Sequence, residues 1–166
     1  MKNILIVFLS LLGSFLGRSE PLVSPIPTEV INYDTRSDEL KRFLEENHSP
    51  LAENASEFIR IGDDFGYDYR VLVAVSGVES GFGSDHLCGD FNPFGWGNPC
   101  WDFESFSEAI ESVGGRLGRS NTYKKFQETG RLEDLGYTYN PSNAIEWSRK
   151  VNYFIIKIEN TTLNES

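Results

Sequence analysis

This sequence predicts a mostly α-helical domain with one buried central helix and a loop or small β-hairpin lobe, and three observations predict it. Apolar residues recur at helical spacing through most of the chain. The segment from Val71 to Val78 has almost no polar face, which is the character of a central helix. Between Gly81 and Asp102 the period gives way to Gly, Asn, Pro and aromatic residues. With 166 residues, 39% of them hydrophobic and 24% charged, the chain suits one globular domain whose core needs neither a metal nor a dense disulfide framework.

Residues 1–19 read as an address. Lys2 precedes an apolar run of 13 residues, Ile4 to Leu16, and Gly17 and Ser19 suit the small positions before a cleavage site, the pattern of a secretory signal peptide. The run is shorter than the roughly 20 residues of a membrane-crossing helix, so no stable membrane insertion is expected once the signal is cut near Ser19. Residues 20–36, with Pro21, Pro25 and Pro27, read as an extended linker. The domain is expected over 37–160, followed by a polar tail over 161–166.

Within the domain, Ser37 is placed to cap a helix carrying Leu40, Phe43 and Leu44. Ser49 and Pro50 open a second, with Leu51, Ala55, Phe58 and Ile59 on one face and a stop near Gly66. The buried helix runs from Tyr69 to Ser80; its valines also suit a strand, but no second strand of like character exists to pair with it. Ser105 and Glu108 stand at capping-box spacing before a stripe of Phe106, Ala109, Ile110, Val113 and Leu117. One or two short helices fit 123–135, and Pro141 and Ser142 open a last helix carrying Ile145, Val151, Phe154, Ile155 and Ile158.

Charge and cysteines bound the partners. Lys and Arg number 15 against 25 Asp and Glu, a formal net charge of −10; removing Lys2 and Arg18 with the signal leaves 13 against 25, or −12. Such a surface repels phosphate, which argues against nucleic acid as a partner. The chain is expected to act as a monomer, secreted or in the periplasm or cell envelope. There Cys88 and Cys100 can oxidise, closing a loop of 13 residues worth about 3 kcal/mol in the loop-entropy model. A metal site formed with His86 is the weaker reading, because three ligands at this spacing match no common zinc pattern. No metal or cofactor is expected.

Glu79 is the leading catalytic candidate. It is the carboxylate attached to the apolar 71–78 segment, at its carboxyl end. Burial and the negative end of the helix dipole both disfavour its charged form, as a general acid requires. Ser80, Gly81, Phe82 and Gly83 follow at once, a sharp exit that sets the carboxyl at a cleft edge.

Ala74-Val75-Ser76-Gly77-Val78-Glu79-Ser80-Gly81-Phe82-Gly83, then Asn92-Pro93-Phe94-Gly95-Trp96-Gly97, then Phe103-Glu104-Ser105-Phe106 opening a helix, and finally Gly136-Tyr137-Thr138-Tyr139-Asn140-Pro141, together resemble the glucosaminidase domains of glycoside hydrolase family 73, in the lysozyme-like superfamily. The resemblance spans roughly residues 50–158. It implies a lysozyme-like helical fold and hydrolysis of β-1,4 bonds in a peptidoglycan-type or related N-acetylglucosamine-containing glycan. Glu79 takes the position of the family's acid, and Tyr137 that of a tyrosine, on a turn before the final helix, that helps to stabilise the reacting sugar. A second carboxylate finds no match by motif: the lobe offers Asp85, Asp90, Asp102 and Glu104, of which Asp102 stands nearest to where one is wanted. The substrate's own N-acetyl group is the alternative nucleophile.

Sugar rings stack on aromatics and N-acetyl groups hydrogen-bond to amides, so Asn92, Phe94, Trp96, Asn98 and Tyr139 are the expected substrate-binding residues. Trp96, between two glycines, is the preferred platform, and Trp101 is expected to pack on the disulfide. A muramidase, a lytic transglycosylase and an inactive glycan-binding module are the rival readings. The charge of −12 weighs against all wall hydrolases, since bacterial walls are often anionic themselves.

Overall fold

A computed structural model describes residues 34–86 and 88–163. The expected signal peptide and most of the expected linker lie outside the described residues. Among the described residues there are seven α-helices: α1 (Arg36–Glu46), α2 (Ala55–Phe65), α3 (Tyr69–Ser80), α4 (Phe106–Arg119), α5 (Lys124–Thr129), α6 (Leu132–Tyr139) and α7 (Ala144–Leu163). Single 3-10 turns at Pro50–Asn54, Asn121–Tyr123 and Pro141–Asn143 lead into α2, α5 and α7.

The buried helix is α3, held between α2 and α7. Asp68 caps it by accepting the Arg70 N–H at 2.9 Å, and Gly81, at φ 56°, ends it in the left-handed conformation. The Phe82 N–H then returns to the Ser76 carbonyl at 3.1 Å, closing the last turn. Leu72, Val73, Ala74 and Val75 are fully buried. Valine is a mediocre helix former, but burial on all sides outweighs the few tenths of a kcal/mol it costs per residue. α2 and α7 pack on α3, α4 packs on α2, and α6 packs on α7. Beyond the helix end, Phe82 is buried between Phe43 and Phe154, with ring centroids 5.4 and 5.0 Å away. These edge-on contacts hold it at a positive φ of 60° that a phenylalanine rarely adopts.

Several expectations on element bounds need correction. α1 starts at Arg36, so Ser37 lies inside it, and Arg36 bridges Asp34 and Asp63. Ser49 does cap by accepting the Leu51 N–H, but what it opens is the 3-10 turn before α2. Ser105 accepts the Glu108 N–H at 3.1 Å, while the Glu108 carboxylate accepts from the Glu104 N–H rather than from Ser105. The lobe between α3 and α4 is the loop alternative, since no strand occurs among the described residues. The tyrosine-containing stretch expected as a turn is helical through Tyr139. α7 continues to Leu163, into the stretch read as a polar tail. Its buried face carries Trp147, Val151 and Ile158, whereas Ile145, expected in the core, is 42% exposed. No helix among the described residues is long and apolar enough to cross a membrane.

Candidate active site

The loop after α3 is organised by polar groups that would otherwise be costly to bury. Ser80, at the helix end, donates to the Pro93 carbonyl at 2.7 Å and accepts the Gly83 N–H at 2.8 Å. Asn92 is almost fully buried. Its amide donates to the carbonyls of Trp96 at 2.9 Å and Trp101 at 2.8 Å, and its oxygen accepts the Trp96 N–H at 2.9 Å. Cys88 and Cys100 are joined in a disulfide with Cα atoms 5.4 Å apart. One amide side chain and one covalent bond thus fix the backbone where a hairpin ladder would have done so.

The fixed loop meets Glu79. Gly95, at φ 58°, lies so close that a Cβ there would stand 3.1 Å from Glu79 Oε2. From α7 the Trp147 Nε1–H donates to Glu79 Oε1 at 2.6 Å. Trp147 is stacked on Tyr139, with centroids 5.0 Å apart and planes 20° from parallel. Tyr139 in turn donates its hydroxyl to the Phe94 carbonyl at 2.6 Å and packs edge-on against Trp96 at 5.5 Å. Burial pushes the Glu79 carboxyl above the ordinary range, and the hydrogen bond from Trp147, which favours the charged form, opposes this only in part. Burial, reinforced by the charge of Glu79, holds the Tyr139 hydroxyl far up, so it stays a proton donor to Phe94.

Beside Tyr139 opens a cleft of about 470 Å³ lined by Trp96, Asn98, Trp101, Arg116, Tyr123 and Tyr139 together with Gly95 and Gly97. Trp96 stands among Trp101, Tyr123 and Tyr139, with ring centroids 5.5 to 6.5 Å apart.

No family model, curated protein or solved structure matches the chain.

The geometry sorts the expected site residues. Trp96, Asn98 and Tyr139 line the cleft, and Glu79 adjoins it from behind two of its lining residues, Gly95 and Tyr139, without lining it itself. Tyr137 does not share that place: two residues on a helix differ by about 200° in direction, and Tyr137 is 56% exposed while Tyr139 turns inward. Asp102 is exposed and its Oδ1 faces Gly89, and neither it nor Asp85, Asp90 or Glu104 lines the cleft. Asn92 spends its amide on the loop backbone, and Phe94 is fully buried against Phe58, so both shape the site from beneath. Trp101, expected on the disulfide, is 41% exposed and lines the cleft under the Arg116 guanidinium.

Sequence reasoning missed Trp147, Tyr123 and Arg116. For Trp147 a signal existed: with Val151, Phe154 and Ile158 it follows the i, i+4, i+7, i+11 spacing of one helix face.

Proposed function

We propose that the chain is an exported glycoside hydrolase that cleaves β-1,4 bonds in a peptidoglycan-type glycan, in the manner of an endo-β-N-acetylglucosaminidase, with Glu79 as the general acid. The observation that carries this reading is the Glu79 carboxyl itself. It is raised by burial, tethered at one oxygen by the Trp147 indole, and packed against Gly95, which lines an aromatic cleft of about 470 Å³. The family resemblance of the Glu79, Asn92 and Tyr137 segments supports it. The disulfide is in keeping with export.

In this mechanism the indole N–H occupies Oε1, which leaves Oε2 to carry the proton. Glu79 gives that proton to the glycosidic oxygen as the C1–O bond breaks, and the leaving sugar departs as an alcohol. Among the described residues no other carboxylate contributes to the raised state of Glu79, which favours the substrate's N-acetyl carbonyl as the group that closes on C1. Water then opens the cyclic intermediate, losing a proton to the Glu79 carboxylate and restoring the acid.

Glu79→Gln keeps the shape and removes the proton. Lysis of purified cell wall is expected to fall at least 100-fold while the glycan is still bound; wild-type lysis by this variant overturns the assignment. Mass spectrometry of borohydride-reduced digests separates the rival enzymes. Reduced N-acetylglucosamine ends support the glucosaminidase, reduced muramic ends indicate a muramidase, and anhydro ends a lytic transglycosylase.

A further inference from the structure

Two arginines of α4 are held differently from most others in the described chain. Arg36, Arg60, Arg70, Arg131 and Arg149 each pair with a carboxylate. Arg116 and Arg119 instead lie on aromatic rings: the guanidinium carbon of Arg116 is 4.6 Å from the centroid of Trp101, and that of Arg119 is 5.4 Å from the centroid of Phe65. A guanidinium that rests over a ring and has no carboxylate partner can offer its N–H edge to a planar, two-oxygen acceptor. Three residues apart, the two share a helix face with Ser112.

Arg116, Arg119, Ser112, Ser120 and Trp101 line a second cavity of about 390 Å³. It shares Trp101 and Arg116 with the aromatic cleft, so the two spaces meet at that pair. No carboxylate lines either of them. In a chain of net charge −10, cationic charge without a carboxylate partner is thus placed at one end of the cleft.

We propose that Arg116 and Arg119 form an anion subsite that holds a carboxylate of the glycan next to the ring seated in the aromatic cleft. This deepens the proposed function and rests on it. The carboxylate is that of a lactyl ether on a muramic-type sugar, or of the peptide attached there. The subsite supplies local attraction for an anionic strand where the rest of the surface repels it.

The test measures binding by calorimetry to the Glu79→Gln protein, so that bound glycan is not cut. The probes are tetrasaccharides alternating N-acetylglucosamine and N-acetylmuramic acid with the lactyl group free, amidated or peptide-linked, together with the neutral N-acetylglucosamine tetramer. The carboxylated forms are expected to bind about tenfold or more tighter than the amidated one, with a preference that shrinks as salt rises. The free-lactyl and peptide-linked forms tell which carboxylate is held.

Adding Arg116→Gln and Arg119→Gln is expected to bring the ratio of carboxylated to amidated affinity to within about twofold of one. Lysine at both positions keeps charge and stem but loses the fork, and is expected to retain only part of the ratio. A ratio near one in the parent, or one that survives the double glutamine change, overturns the subsite and leaves the glycan reading standing. Failure of all four sugars to bind overturns both.

Discussion

Replacing Trp147 by Phe removes the indole N–H that is donated to Glu79 Oε1 at 2.6 Å, while leaving an aromatic ring to stack on Tyr139. Two forces act on the Glu79 carboxyl, and the larger is burial, which raises it; the indole opposes by stabilising the carboxylate. With the donor gone, burial acts alone. A hydrogen bond to a charged group contributes about 1.5–3 kcal/mol, and each 1.36 kcal/mol corresponds to one pH unit. A general acid works only while protonated, so its titration sets the high-pH limb of activity. That limb in kcat/KM for wall lysis is expected to move up by about one to two pH units in the variant. Direct ¹³C titration of the Glu79 carboxyl is expected to move in the same direction, independently of turnover. A limb that stays in place, or moves down, refutes both the tethering role of Trp147 and the acid role of Glu79.

The same balance has a consequence for stability. Because the folded-state titration of Glu79 lies above its unfolded one, its contribution is fully present below the ordinary glutamate range and is lost as pH rises through the raised value. Glu79→Gln is therefore expected to leave urea stability unchanged at low pH and to raise it relative to the parent above that window; a variant less stable than the parent at pH 8 contradicts this. For the Cys88–Cys100 bond, intact mass under non-reducing conditions is expected two hydrogens below that of the reduced chain. Replacing both cysteines by Ser is expected to cost about 3 kcal/mol of unfolding free energy in urea, and an unchanged midpoint would count against a constraining role.

The parts of this molecule that could be read from its sequence are those whose cause is local. α3 is legible because an apolar run is bracketed by Asp68 and Gly81, and Glu79 because it stands at the end of that run. The disulfide is legible because an expected export signal and two cysteines leave few alternatives. Tyr137 and Tyr139 were not separable, because a segment read as a turn has no inward face, and only its helical winding in α6 tells them apart. Asn92 reads as a sugar-binding amide until the loop closes around it and three backbone groups claim its side chain. Trp147 stands 68 residues from Glu79, and nothing in either neighbourhood announces the other. Such a pair comes into view only when α3 and α7 are docked.

On the proposed reading, that docking also sets when the chain becomes lytic. Glu79 is laid down near the middle of the chain, but the indole that orients it belongs to the final helix. A partly synthesised or partly exported chain that has not yet delivered α7 holds an acid without its tether, and without the aromatic stack that backs the cleft. On that reading lytic competence arrives with the last helix, and a fragment clipped before Ala144 is expected to be inert.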